Sequence, residues 1–561
     1  MKVRRSPNIA SALTRMAEKM PDSPAIHYPI GRNGAGKQQY VSMTYGELDD
    51  ESTLIAQGLI VSGMGKGTYA ALMVKPSMEF FALTFALFKA GVIPVLIDPG
   101  IGLKSLKACL GEAGPTAFIG IPAAHAARVV LGWGRGTLKN HVTVGRRWFW
   151  GGATLGQVRE AGRGQPQTPL PGVEEDDVAA ILFTSGSTGV PKGAVYTHGT
   201  FSAQVEYIQR TYDIQPGEID LPTFPLFALF DPALGMTTVI PEMDAQKPAL
   251  VDPRNVIEPI LEFGVTNMFG SPALLNRVGR AGVEQGVKLP TLKRVISAGA
   301  PVPAPVLERI VAMVNDGVHV HTPYGATESL PVASVSSEEI LGETAALTDK
   351  GKGVCVGKPI EGARVEVIHI SDEPIESWSE DLRVEAGEIG EFVVQGRQVS
   401  KRYHNRDEST KLAKIDDPVG GVMHRMGDVG YIDEQGRLWF CGRKSHRVII
   451  GEETLYTIPC EGIFNAHPAV FRTALVGVER AGEVRPVLCV EREKFDFSGG
   501  SRPQLMSNEE IRAELLELGA AHAHTAGIKD ILFHEAFPVD IRHNSKIFRE
   551  KLKVWAEKEL R

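Results

Sequence analysis

Cysteine is scarce in this chain: five residues in 561 (Cys109, Cys355, Cys441, Cys460, Cys489), scattered and without a CxxC pair. Such spacing speaks against structural zinc and against a disulfide framework, and it suits a reducing cytosol. No long apolar run is free of helix breakers either. The most apolar long window, LPTFPLFALFDPALGMTTVI (221–240), holds three prolines and Asp231, so no transmembrane segment is expected. The N-terminal stretch MKVRRSPNIASALTRMAEKM has a basic cluster but lacks the apolar core of a signal peptide, and its helical spacing predicts a surface helix. Neither sign of charge dominates. Sixty basic residues against 67 acidic ones leave −7, which speaks against a general nucleic-acid binder.

What is present is ordinary for a protein with large cores: 43% hydrophobic and 23% charged residues. The length predicts two to four domains. EFFALTFALFKAG (79–91) reads as a buried helix ending at glycine, followed by the buried strand VIPVLID (92–98). Segments 261–279 and 292–314 repeat this alternation, which predicts an α/β fold with largely parallel sheets. From about 350 to 444 the pattern turns strand-rich with glycine turns, predicting a β-rich subdomain, and YIDEQGRLWFCGRK (431–444) reads as a hairpin about Gln435–Gly436. A boundary is expected near 444, giving a large domain 1–444 and a small α+β domain 445–561, with a surface loop at 493–510.

Two glycine-rich segments compete as phosphate loops. GRNGAGKQ (31–38) has the spacing of a Walker A loop, but Gln38 replaces the Ser or Thr that would meet magnesium, and both flanks look like strands. A hairpin tip is the expectation there. TSGSTGVPKG (184–193) follows the buried strand VAAILF and brings glycines, hydroxyls and Lys192 together. Glycines admit backbone N–H groups to an anion, hydroxyls donate hydrogen bonds and lysine supplies charge. A flexible Gly/Ser linker is the competing reading.

TSGSTGVPKG resembles the phosphate-loop signature of the adenylate-forming superfamily, which includes acyl-CoA synthetases, peptide-synthetase adenylation domains and beetle luciferases. MTYGEL (43–48), FKAGVIPVLIDP (88–99), SAGAPVP (297–303), YGATES (324–329), MGDVGYID (426–433), CGRK (441–444) and PVDIRHNSKIFR (538–549) follow in the family's order. The resemblance spans essentially the whole chain. It implies a large domain of stacked α/β sheets and a small mobile C-terminal domain. It also implies ATP and Mg2+ as cofactors, and joining of a carboxylate to the α-phosphate with loss of pyrophosphate.

Charge gathers at the phosphorus and the leaving oxygen in such a transfer, so donors, a lysine and a cation must surround it. The resemblance makes Thr184, Ser185, Gly186, Ser187, Thr188, Gly189 and Lys192 the phosphate cradle, and Glu328 with Thr184 the Mg2+ ligands. Thr327 would contact the α-phosphate. Gly299, Ala300, Tyr324 and Gly325 would wall the adenine, and Asp428 and Arg443 would meet the ribose. Lys546, preceded by Ser545 where the family usually has glycine, would swing in to bridge carboxylate and α-phosphate. A solvated loop acid at Glu328 and a surface lysine at 546 are the bland alternatives.

The acceptor of the acyl group decides the second step. Coenzyme A ligases typically carry a histidine after the Pro-Leu/Pro-Phe turn, whereas FPLFALFDPALGM has Phe227 and Ala228 there, expected to line a substrate pocket. The hinge departs as well, with Ser445, Ile449 and Glu452 in GRKSHRVIIGEETLY. The set of motifs is most similar to the branch that forms β-lactones in bacterial long-chain olefin biosynthesis. That resemblance implies a 2-alkyl-3-hydroxy fatty acid whose own hydroxyl attacks the activated carbonyl, an internal nucleophile held close. It implies, as pathway partners, a thiolase-like condensing enzyme and a β-lactone decarboxylase. The alternatives are a ligase to coenzyme A or a carrier protein, and an inactive adenylate-binding protein. GWGRGTLKNHVTVGRRWFWGG (132–152) reads either as a surface excursion with buried tryptophans or as a docking segment for a partner or for peripheral membrane contact.

Overall fold

A computed structural model describes residues 7–184, 191–480, 482–493, 506–539 and 547–561. The chain opens with the expected surface helix, Ser11–Lys19, and a hairpin of β1 (Pro24–Arg32) and β2 (Gln38–Thr44). GRNGAGKQ is its tip, closed by Gly36 N–H donating to Asn33 O at 2.8 Å, so no helix follows this glycine run. MTYGEL becomes the start of helix Tyr45–Val61. Thr44 accepts from Glu47 N–H while the Glu47 carboxylate accepts from Thr44 N–H, and together they satisfy donors that the first turn leaves open.

Seven strands follow as one sheet: β3 (Tyr69–Met73), β4 (Ile93–Ile97), β5 (Ala117–Gly120), β6 (Asn140–Thr143), β7 (Ala153–Thr154), β8 (Val178–Thr184) and β9 (Lys192–Thr197). Their spatial order is 7-6-5-3-4-8-9, all parallel except β9, which runs back along β8. The helix between β3 and β4, Met78–Lys89, is buried along almost its whole length, as its unbroken apolar sequence requires. Its one buried cation, Lys89, donates to Asp49 Oδ1 at 2.7 Å and to Thr53 Oγ1 at 2.8 Å.

A second sheet begins with parallel β10 (Ile219–Pro222), β11 (Thr237–Val239), β12 (Asn267–Phe269) and β13 (Arg294–Ile296), with β1 added beside β11. It continues into β14 (His319–Ala326), then turns antiparallel through β15 (Ser329–Ser336) and β16 (Val354–Pro359). The β-rich stretch supplies β17 (Arg364–Ile368), β18 (Gly390–Gln395), β19 (Lys414–Asp417), β20 (Gly421–Ile432) and β21 (Leu438–Arg443). The hairpin expected about Gly436 is the β20–β21 pair.

Beyond β21 the chain leaves this sheet through a single 3₁₀ turn, Lys444–His446. A hairpin of β22 (Val448–Ile450) and β23 (Glu453–Leu455) comes next, then a three-stranded sheet of β24 (Val470–Arg480), β25 (Glu483–Arg492) and β26 (Asp530–Phe533). Among the described residues the expected mix of α/β sheets, a β-rich stretch and a smaller set of strands and helices after residue 444 is present. The loop expected at 493–510 lies mostly outside the described residues.

Candidate active site

β14 and β15 form a hairpin whose tip is Thr327 and Glu328, the heart of YGATES. Gly325 is required there. A Cβ would meet Ser329 O at 2.8 Å and Leu330 Cβ at 3.0 Å, so any side chain would force the tip apart. The tip is tied from several sides. Tyr196 donates its hydroxyl to Thr327 O, and Ser400 N–H donates to Glu328 O at 2.8 Å. Tyr403 donates its hydroxyl to Glu328 Oε1 at 2.7 Å. Burial, and then the Glu328 charge, push the Tyr403 hydroxyl far above its ordinary range, so it remains a donor at any working pH.

Tyr403 reaches the acid because its segment lies against β9. Val195 N–H donates to Arg402 O at 3.1 Å and His404 N–H to Gly193 O at 2.8 Å. This pairing also places Lys192, the first residue of β9, with its ammonium 5.2 Å from the centre of the Tyr403 ring. A second lysine stands 5.8 Å from the same ring: Lys414, the buried start of β19. Its amine donates to Ser400 O, bracing the residue that holds the Glu328 backbone. Burial draws Lys414 down to about 7, with Glu328 pulling the other way. His424, also buried, is held neutral by desolvation and by the neighbouring Lys414, Arg443 and Lys192. Its Nδ1 lies 3.1 Å from Ala413 O, which places the ring proton on that nitrogen.

The hairpin's other end meets β20 and β21. Tyr324 donates its hydroxyl to Asp428 Oδ2 at 2.6 Å, and Arg443 donates to Asp428 Oδ1 at 2.7 Å and to Met426 O at 2.9 Å. Asp428 and Arg443 are register partners across the two strands. Each oxygen of Asp428 retains a second lone pair for a sugar hydroxyl. Gly299, exposed just past β13 with φ of +98°, makes the turn that carries Ala300, and Ala298 beside it joins an apolar cluster.

That cluster contains Phe227. Its ring stacks on Phe269 with centroids 4.1 Å apart and neighbours Phe224 and Phe230, while Ala228 is fully buried. Beneath this aromatic segment two carboxyl groups meet: Asp220 of β10 and Asp231 of the short helix Asp231–Leu234. They hydrogen-bond each other in a fully buried setting. Asn267 donates to Asp220, and Thr238 donates to Asp231 at 2.9 Å. Burial raises Asp220 to about 7, and burial followed by the Asp220 charge raises Asp231 well above the ordinary carboxylate range.

Sequence motifs 100 residues and more apart thus converge. Lys192 and Glu328 meet at Tyr403, Thr327 is held by Tyr196, and Tyr324, Asp428 and Arg443 form one network adjoining them. Thr184 ends β8 as the register partner of Lys192. Ser185, Gly186, Ser187, Thr188, Gly189 and Lys546 lie outside the described residues. The chain on either side of 540–546 is fixed: Val539 pairs with Ile547, and Arg549 clasps the buried Glu461 at 2.8 Å. Sequence reading missed Tyr403, Lys414, Tyr196 and His424. Nothing local marks them, because their role follows from the pairing of 402–404 with β9.

The arrangement suits a magnesium nucleotide. Among the described residues no group of three or more His, Cys, Asp or Glu can hold a metal ion. A Mg2+ ion bound through phosphates and one or two carboxylates needs no such group. Glu328, with one oxygen fixed by Tyr403 and cationic side chains around it, is a carboxylate of that kind.

Residues 13–404 match the AMP-binding enzyme family model. The chain belongs to the AMP-binding enzyme family. This AMP-binding enzyme is 50% identical to the olefin beta-lactone synthetase of Xanthomonas campestris pv. campestris, over 98% of this chain and 97% of that one. It is 49% identical to the olefin beta-lactone synthetase of Stenotrophomonas maltophilia, over 99% and 98% of the two chains. ATP-bound MatB from Rhodopseudomonas palustris shares its fold, with a TM-score of 0.75 over 99% of this chain and 100% of that one at 21% identity. No helix among the described residues is long and apolar enough to cross a membrane.

Proposed function

We propose that this AMP-binding enzyme is an ATP-dependent β-lactone synthetase acting on 2-alkyl-3-hydroxy fatty acids in long-chain olefin biosynthesis. The observation that carries the reading is the identity of about half, over essentially the whole length, to two olefin beta-lactone synthetases. Phe227 and Ala228, apolar where coenzyme A ligases typically place a histidine, support it.

In this reading the substrate carboxylate attacks the α-phosphorus of ATP, the bond to the bridging oxygen breaks, and pyrophosphate leaves with that electron pair. Lys192 neutralises the leaving phosphates together with the hydroxyls and N–H groups of 184–189. Glu328 and Thr184 would hold Mg2+, which would supply further positive charge at the phosphates. Tyr403 fixes the Glu328 carboxylate, so the acid needs no reordering as charge develops. Asp428 and Arg443 hold the ribose, while Gly299, Ala300 and Tyr324 flank the adenine. Lys546, carried by a C-terminal unit that begins at about residue 445, bridges carboxylate and α-phosphate.

The 3-hydroxyl then attacks the acyl carbon, its proton is lost, and the bond from carbonyl carbon to the AMP oxygen breaks. A four-membered lactone and AMP result. The attack is intramolecular, so it draws on proximity rather than on a bound thiol. Incubation of the 3-hydroxy acid with ATP and Mg2+, with and without coenzyme A, tests the reading. Lactone and AMP without coenzyme A are expected, and a thioester formed only with coenzyme A would overturn it.

A further inference from the structure

The segment after β6 is built differently from the other loops of its sheet. Trp150 is buried, stacks on His125 with centroids 5.4 Å apart, and donates to Thr143 at 3.0 Å. Pinned in this way, it pushes its two predecessors outward: Trp148 is 58% exposed and Phe149 75% exposed. Arg146 and Arg147, both exposed, precede them, and Arg147 donates to Gly152 O, closing the loop on itself.

The rest of the same edge matches. β3, β4, β5, β6 and β8 are parallel, so the loops that follow them leave from one side of the sheet. After β3 comes exposed Lys75. After β4 come Leu103, 61% exposed, and exposed Lys104 and Lys107. The acids at this edge, Glu79 and Asp98, are only half-exposed. From Glu112 to Glu160 the sequence holds no acidic residue at all, in a chain whose net charge is −7. Thr184, where the chain enters the phosphate-loop sequence, ends a strand on the same edge, three strands beyond β5.

We propose that this edge seats on an anionic lipid surface, with Trp148, Phe149 and Leu103 entering the headgroup region and Arg146, Arg147, Lys75, Lys104 and Lys107 meeting lipid phosphates. Aromatic rings prefer that depth because one end is apolar and the other wet, and basic side chains within a Debye length of the surface add electrostatic attraction. The charge pattern selects a membrane over a protein partner. The cations are shared among the three segments that follow β3, β4 and β6 at this edge, so they address an extended negative surface rather than a single charged site.

Co-sedimentation of the purified chain with vesicles tests this. Vesicles of phosphatidylcholine and phosphatidylglycerol in equal parts should carry the protein down, and phosphatidylcholine alone should leave most of it in solution. Raising the salt should release it. The Trp148→Ala/Phe149→Ala double variant should stay in solution. Arg146→Gln/Arg147→Gln should weaken binding about thirtyfold. All four side chains are exposed and the contacts of Arg147, Trp148 and Phe149 stay within this loop, so both variants should melt within a few degrees of wild type and keep adenylation of a water-soluble acid. Trp148→Phe should still bind while losing the blue shift of tryptophan emission. Wild-type protein that ignores anionic vesicles overturns the proposal and leaves a protein partner as the occupant, as does a double variant that binds like wild type. The result is independent of whether a lactone forms.

Discussion

Asp231→Asn offers a pH-resolved test of the acid pair under the aromatic segment. In the native protein Asp231 is hydrogen-bonded to Asp220 and accepts from Thr238 at 2.9 Å, and burial holds its pKa well above the ordinary carboxylate range. In the unfolded chain it ionises as an ordinary carboxylate. Because its folded pKa is raised, the pair contributes most below the unfolded value and loses stability as pH climbs. Each pH unit costs about 1.4 kcal/mol for each native proton that the pair retains. Asparagine keeps both hydrogen bonds, donating through its amide nitrogen and accepting through its oxygen, and needs no proton. The variant should therefore gain on wild type as pH rises from 5 to 7, by about 1.4 kcal/mol for each pH unit over which Asp231 keeps its proton. Thermal melting at each pH reads this as a difference, variant minus wild type, that rises by several degrees. An equal difference at both pH values would refute the retained proton.

Other expectations concern the phosphate end. Tyr403→Phe removes one hydrogen bond to a charged group, worth about 1.5–3 kcal/mol, and should lower kcat/KM for ATP about ten- to a hundredfold with melting little changed. Unaltered ATP kinetics would count against Tyr403 as the support of Glu328. Lys414→Met should raise the KM for ATP about tenfold by releasing Ser400 and the Glu328 backbone behind it, checked by pyrophosphate release against ATP concentration. An unchanged KM would make Lys414 a mere filler of space. Lys546→Ala should abolish pyrophosphate release from acid plus ATP while nucleotide binding persists, and undiminished release would sink its assignment.

Much of this molecule is legible in the sequence because its signals are local. Glycine ends a buried helix at 89–91, GRNGAGKQ makes a hairpin tip, and Gly436 marks another hairpin. Each depends on a few neighbouring residues, and each appears where expected. Of the nucleotide motifs, Lys192 and Glu328 meet at Tyr403, and Tyr324 and Arg443 meet at Asp428, although they are spread from 192 to 443. What escapes is whatever depends on two distant segments meeting. Tyr403 looks like one aromatic among charges until its strand pairs with β9, and Lys414 sits in KLAKIDD, which gives no sign that its amine is buried. The acid pair is silent for the same reason: Asp220 and Asp231 ionise normally until β10 and the 231–234 helix fold together. At 132–152 the structure shows a surface excursion in which Trp133 and Trp150 are buried while Trp148 and Phe149 are exposed.

The central claim is that the carboxylate, not the hydroxyl, is activated, and that the hydroxyl then closes the ring without a thiol. A 3-hydroxy acid carrying heavy oxygen in its carboxylate, turned over with ATP in the absence of coenzyme A, tests it directly by mass spectrometry. One labelled oxygen should appear in AMP and one should remain as the lactone carbonyl, with the ring oxygen unlabelled. Unlabelled AMP, with both labels retained in the lactone, would contradict the account.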